Sequence, residues 1–174
     1  MTRWIFLAAL LIAFGFAGFY TYLGGFRAAA VTLETIPQPI FLAGRYFAGP
    51  VSSDEFGPLF RQAQQLRQSG QLRGDLANIY YNDPAAAKDT VKAFVGLVVA
   101  DTTSQQLPAN YHYRTFAAGQ RVLHARIQAS YMVAPDKLYS GVKNFAEKEQ
   151  LKLRQVYLER FGDDDRAEVL AVVK

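Results

Sequence analysis

Apolar and polar positions change period several times along this chain, and each change predicts an element. Trp4 to Phe26 carries no charge and consists mostly of Leu, Ile, Phe, Ala and Gly between Arg3 and Arg27. Such a run predicts a helix that crosses a hydrocarbon core of roughly 30 Å at roughly 1.5 Å per residue, with Trp4, Tyr20 and Tyr22 at the interfaces. From Ala29 to Ile36 apolar residues alternate loosely and stop before Pro37, which predicts a strand. Phe41, Ala43, Arg45 and Phe47, between Pro39 and Gly49, predict a second. Asp54 reads as a helix cap, since Phe56, Leu59, Phe60, Ala63 and Leu66 then recur at three and four until Gly70. Period two returns from Leu76 to Tyr81, Asn82-Asp83-Pro84 reads as a turn, and Val91 to Ala100 as a strand.

The second half repeats this order. Tyr113–Phe116 and Arg121–Ser130 are strand-like. Pro135 and Asp136 open a helix with Leu138, Val142, Phe145 and Ala146 on one side. Gln155–Phe161 and Ala167–Val173 pair around Gly162-Asp163-Asp164-Asp165. A displacement of roughly 77 residues superposes the halves element by element and lays Asn78-Ile79-Tyr80-Tyr81 on Gln155-Val156-Tyr157-Leu158. The expected fold class is α+β: duplicated β-α-β-β units with a central cleft, preceded by one transmembrane helix. Residues 1–27 form the anchor and residues 28–174 one domain of two repeats, about 29–100 and 111–174. The units join edge to edge or face to face, and the cleft between them is where a ligand is expected.

Strand alternation assigns the faces. Val156 and Leu158 are expected to face the helix, with Gln155 and Tyr157 opposite; Ile79 and Tyr81 likewise, with Asn78 and Tyr80 opposite. Two amides and two phenols then converge on the cleft, a set that grips an apolar body and orients it by a few hydrogen bonds. A sheet face that is merely wet, or that docks a protein, has the same pattern.

The motif Ile79-Tyr80-Tyr81-Asn82-Asp83-Pro84, followed by Val95-Gly96, resembles the GyrI-like small-molecule-binding domain family, in particular its membrane-anchored branch typified by the vertebrate testis-expressed reticulophagy receptor. The resemblance covers about residues 29–174 and rests on the order and spacing of the motifs together. It implies a duplicated β-α-β-β domain of SHS2-type repeats. Regulators in this family take up lipophilic, often cationic compounds between aromatic rings and a buried Glu. Some relatives hydrolyse strained cyclopropyl natural products with a cleft carboxylate, and others inhibit DNA gyrase. By position, Tyr157 matches the Tyr of a Glu-x-Tyr segment, and Tyr80 and Tyr81 match paired tyrosines. Gln155 stands where the family often places Glu, and a neutral amide cannot offset a cation's charge. If the alignment shifts, Glu159, on the same expected face, takes that slot. The resemblance therefore implies a ligand set of Asn78, Tyr80, Tyr81, Gln155, Tyr157 and Glu159. The autophagy role of the branch needs a long tail with an aromatic motif, which is not expected after Lys174.

Composition narrows the chemistry. Without cysteine, thiol nucleophiles, disulfides and zinc–thiolate clusters are excluded. A net charge of +4, spread along the chain, does not point to nucleic acid. His112 and His124 lack ligand spacing, and Asp163-Asp164-Asp165 lacks the alternating donors of a calcium loop, so no metal and no cofactor are expected. Ser52-Ser53 fits capping rather than a nucleophile elbow, and no catalytic residue is expected. Gly24-Gly25 reads as a flexible exit from the membrane. Lys88, Lys92, Lys137, Lys143, Lys148 and Lys152 read as exposed, with some reaching lipid headgroups if the domain rests on a bilayer.

The leading expectation is a membrane-tethered, non-catalytic domain that binds an apolar or amphipathic small molecule, held in the bilayer through residues 4–26. A protein-interaction module near the membrane is one alternative. A GyrI-like hydrolase whose cleft carboxylate is Glu159 or Glu34 is another. The Lys/Arg bias places the amino terminus in the cytoplasm and the domain outside, while Ala28-Ala29-Ala30 would suit cleaved export.

Overall fold

The structure, a computed structural model, describes residues 2–50, 52–82 and 90–174. Asp83, Pro84 and Lys88 lie outside them; Asn82 is described, and its amide donates to the Thr90 carbonyl at 2.6 Å and accepts the Lys92 N–H at 2.9 Å.

The elements follow the expected order: α1 (Thr2–Tyr22), β1 (Ala30–Thr35), β2 (Ile40–Gly49), α2 (Phe56–Gln68), β3 (Asp75–Tyr80), β4 (Val91–Val99), β5 (His112–Phe116), β6 (Arg121–Gln128), α3 (Ala134–Lys148), β7 (Leu153–Phe161) and β8 (Arg166–Val173). The start of α2 differs in detail. Glu55 is the capping position and makes no side-chain cap bond, while Ser53 Oγ accepts the Glu55 N–H at 3.2 Å; Asp54 is exposed. Pro135 sits in the first turn of α3, where its missing N–H costs nothing.

All eight strands form one sheet in the order β1-β6-β8-β7-β3-β4-β2-β5. The repeats therefore join edge to edge through β3 and β7, which run antiparallel with Asn78 opposite Glu159 and Tyr80 opposite Tyr157. The first strand of each repeat crosses to the other half: β1 pairs with β6, and β5 with β2. This exchange interlocks the halves and makes them one folding unit.

Helices α2 and α3 lie on one face. Leu59 of α2 and Leu138, Tyr139, Val142 and Ala146 of α3 pack there with Tyr80, Leu123, Ala125, Tyr157 and Val169. The opposite face is buried as well. Leu42, Ile79, Phe94, Phe116, Val122, Leu158 and Leu170 form one cluster drawn from both ends of the strand order, so the sheet curls around it.

Outside that second core, charges alternate across five adjacent strands: Glu34 on β1, His124 on β6, Glu168 on β8, Arg160 on β7 and Asp75 on β3. His124 pairs with Glu34 through Nδ1 and with Glu168 at 2.9 Å through Nε2; Arg160 bridges Glu168 at 3.3 Å and Asp75 at 2.7 Å. Burial alone would lower the His124 pKa, but the hydrogen bonds and charges of Glu168 and Glu34 overcome it and raise the value above 6.5. Burial would raise Glu168, but His124 and Arg160 hold it below 4.5. A raised His contributes fully below its unfolded pKa and loses that contribution as pH rises through its folded one. A depressed Glu contributes above its unfolded pKa and loses it as pH falls. Stability should therefore be highest between these limits. His124→Gln is expected to cost about 2 kcal/mol near pH 6, the scale of hydrogen bonds to charged groups. The cost should shrink as pH rises through the raised His124 value. Urea unfolding of both proteins across pH 5–9 checks this, and a cost independent of pH would refute the assignment.

Among the described residues one helix, Arg3–Tyr22, is long and apolar enough by length and composition to cross a membrane, and none of it is buried in the domain. Its junction is not a flexible exit. Gly24, at φ 78°, caps the helix in the left-handed region, and a Cβ there would lie 2.9 Å from the Ala129 Cβ. The Ser130 N–H donates to the Leu23 carbonyl at 3.0 Å, and Arg27 Nη1 to the Gln128 carbonyl at 2.6 Å. The end of α1 is thus fastened to the turn between β6 and α3.

Candidate ligand-binding cleft

Because α2 packs mainly on β4, with β2 and β3 flanking it, and α3 packs on β6, β8 and β1, the seam where β3 meets β7 is left open between the two helices. A cleft of about 740 Å³ stands there. Its floor is Leu76, Asn78 and Tyr80 from β3 with Glu159 and Phe161 from β7. Its walls are Phe60, Gln64 and Arg67 of α2 and Pro135 and Tyr139 of α3. Ala129, Tyr131 and the 162–166 hairpin close the ends.

Glu159 is the chemical centre. It is 5% exposed, and its carboxylate receives a 3.1 Å hydrogen bond from Asn78 Nδ2. Burial raises its pKa, partly opposed by the nearby Tyr139 hydroxyl and by Asn78. None of the groups that shift it is a cation. The Tyr139 hydroxyl is buried without a hydrogen-bond partner of acceptable geometry, although it lies close enough to Glu159 for each to perturb the other. Burial, then the Glu159 charge, raise both the Tyr80 and Tyr139 phenols far above their ordinary range, so both remain neutral donors. The Tyr139 ring packs on Tyr157 at 5.4 Å between centroids. A protonatable carboxylate and an unpaired phenol thus meet at the floor of an aromatic-walled cleft, the arrangement of a site that holds a polar group of a mostly apolar molecule.

The expected set divides. Asn78, Tyr80 and Glu159 line the cleft, and Tyr157 lies beneath it, buried against Tyr139. Two expectations are corrected. Gln155 is exposed, with φ 60°, at the irregularity between Leu153 and Tyr157, and it is not among the residues that line the cleft, whereas Glu159 is. Tyr81 lies on the other face, where its hydroxyl accepts from Arg114 Nε at 2.9 Å and its ring tilts against Tyr46 at 6.3 Å. The expected facing is also reversed. Tyr80 and Tyr157 share the helix side, while Val156, Leu158 and Ile79 face the second core.

Glu34 pairs with His124 outside the cleft. The acidic hairpin is more than a solvated turn: Asp163 pairs with Arg67, and the Asp165 carbonyl accepts the Ala129 N–H at 2.9 Å. Tyr139 was not anticipated. Its signal was a tyrosine one residue past Leu138 in the apolar stripe of α3. No group of three or more potential metal ligands occurs among the described residues.

No family model and no curated protein matches the chain. Solved structures do match in fold. An integron cassette protein from Vibrio cholerae superposes with a TM-score of 0.63 at 14% identity, covering 84% of this chain and 98% of that one. A protein solved bound to tetraphenylphosphonium gives 0.58 at 11%, covering 83% and 94%. The C-terminal domain of EcmrR gives 0.56 at 14%, covering 85% and 99%. At these identities the likeness is one of fold alone: the duplicated β-α-β-β architecture with a cleft between its repeats.

Proposed function

We propose that this chain is a membrane-tethered binding protein whose cleft takes an amphipathic molecule carrying a positive charge. The observation that carries this reading is Glu159: a buried carboxylate at the floor of an aromatic cleft, paired with no cation among the described residues, since Arg67 on the cleft wall is engaged with Asp163 and Arg166 with Asp164. Ionised and alone, it is costly; a cation that brings its own apolar surface offsets that cost while Tyr80, Tyr139 and Phe60 cover the rest. Asn78 orients the carboxylate, and the Tyr139 phenol beside it stays available to the entering group. That a protein of the same fold is bound to tetraphenylphosphonium supports this ligand class.

The tether rests on α1. Trp4, Phe6, Leu11, Phe14 and Phe16 are all exposed on it, a surface that water does not tolerate and a bilayer covers. The amino terminus then lies in the cytoplasm and the domain outside.

Thermal shift of the full chain in detergent, titrated with tetraphenylphosphonium and with a neutral and an anionic hydrophobe, tests the ligand class. Saturable stabilisation by the cation is expected, with Tyr139→Ala weakening it roughly tenfold as one aromatic wall is lost. Equal response to all three probes, or none, would refute it. Resistance to alkaline extraction tests the tether.

A second reading, hydrolysis, draws on the same raised carboxylate beside two phenols, the pairing a general acid–base needs. A hydrolase from Listeria innocua with the same fold, at 10% identity and a TM-score of 0.53, is the parallel. Turnover of a bound ester or strained ring, lost in Glu159→Gln, would favour it over simple binding. The interaction-module reading draws less support, because the cleft is not filled by its own side chains.

A further inference from the structure

A second cavity, of about 510 Å³, lies where α1 joins the domain, with Phe26, Arg27 and Ala29 on one side and Lys137, Asn144 and Lys148 of α3 on the other. Three of its lining residues are cations and none is a carboxylate. The spacing Lys137, Ser140, Gly141, Asn144, Lys148 is that of a single helix face. Gly141 lets this face lie against the chain leaving α1, since a Cβ there would meet Ala29 Cβ and Val31 Cγ2 at 3.2 Å. Arg27 is held in place by its bond to the Gln128 carbonyl, and a guanidinium keeps further donors to offer. Lys148 meets Glu149 at 3.7 Å, an exposed pair worth little and easily exchanged.

Position supplies the ligand. The apolar run that begins after Arg3 spans roughly 30 Å as a helix, and Arg27 is the first charged residue beyond it. The cavity therefore opens at the level of the lipid phosphates, with exposed Phe26 beside it at the boundary of the acyl chains. We propose that it binds the phosphate headgroup of an anionic phospholipid from the bilayer that α1 crosses. The inference rests on the tether in the preceding reading and is independent of what fills the cleft. Its consequence is orientation: a headgroup held between Arg27 and α3 would fix how the domain stands on the membrane.

The test is lipid retention by the full chain in detergent supplied with equal phosphatidylglycerol and phosphatidylcholine, counted by native mass spectrometry. Wild type should retain phosphatidylglycerol preferentially. The preference should fall roughly fivefold for each of Lys137→Gln and Lys148→Gln, the electrostatic worth of one cation near such a surface. Lys143→Gln, on the same helix outside the lining, should change it less than about twofold. Lys137→Met and Lys148→Met provide a second pair of neutral variants should either glutamine disturb the helix. Equal retention of both lipids, or a preference unmoved by the variants, would overturn the site. Displacement of the lipid by stoichiometric glycerol 1-phosphate would assign it to a free phosphate and overturn the lipid source. A chain that resists alkaline extraction yet shows no headgroup preference loses this site and keeps its tether.

Discussion

Glu159→Gln is expected to reduce affinity for a lipophilic cation by roughly 30-fold or more, the scale of a buried hydrogen-bonded charge pair that loses one partner. The substitution keeps the volume and the acceptor toward Asn78, so the cleft retains its shape and only the charge goes. Affinity for a neutral hydrophobe of similar size should hold or improve, because the glutamine carries no ionisation penalty. The pH dependence has a defined sign. Burial raises the Glu159 pKa, so the free cleft takes up a proton more readily than an exposed carboxyl does. Cation binding needs the ionised form and should tighten as pH rises through that raised value, then level off. In Glu159→Gln this dependence should disappear. The same shift bears on stability: an acid with a raised folded pKa favours the folded state below its unfolded value and penalises it as pH rises. Glu159→Gln should therefore match wild type at low pH and exceed it at neutral pH. Calorimetric titration at pH 5, 6, 7 and 8 would expose an error here, as would a variant that binds the cation as well as wild type.

The order of elements was legible because each had its own period and its own stops. Pro37, Gly70, Gly119 and Pro135 punctuate strands and helices that alternate at two or recur at three and four. The edge-to-edge joining was one of two forms foreseen, whereas the exchange of β1 and β5 between halves leaves no mark on a strand's own sequence. The cleft was only partly legible. Alternation tells inside from outside when one face is wet, but Tyr157, Leu158 and Glu159 are all buried, so polarity could not tell which core each faces. The irregularity at Gln155 then breaks the parity on which the carry-over from Glu-x-Tyr depended. A motif position one bulge away from its expected face is invisible until the strand has neighbours. Arg67 and Asp163 lie far apart in the chain and meet only because α2 ends beside the β7–β8 hairpin.

Gly96→Ala is expected to cost about 3 kcal/mol or more, at the upper end of what overpacking a core exacts. Gly96 pairs with Gly44 on β2 and with Ala77 on β3, a row of small residues across the strands that curl around the second core. A Cβ at Gly96 would lie 2.0 Å from the Ala43 carbonyl oxygen and 2.5 Å from the Gly44 Cα; one at Gly44 would lie 2.3 Å from the Val95 oxygen. These are backbone atoms in a hydrogen-bonded pair, so no rotamer change relieves the contact and β2 must move away from β4. That movement would open the cluster of Leu42, Phe94 and Phe116 and shift the strands on which α2 packs, widening the cleft from behind. Against a net stability of about 5–15 kcal/mol for a domain, the loss should appear as a large fall in the urea midpoint. Gly57→Ala supplies the contrast. Within α2 its added methyl would meet, beyond its chain neighbours, Arg61 Nη1 at 3.5 Å, and the gain in helix propensity is opposed by crowding from the ring of Pro58, so the change should move stability by no more than about 1 kcal/mol. If Gly96→Ala unfolds at the same urea concentration as wild type, the curl does not depend on this close approach. If it falls steeply while Glu159→Gln does not, the two variants separate what holds the cleft's shape from what gives it its charge.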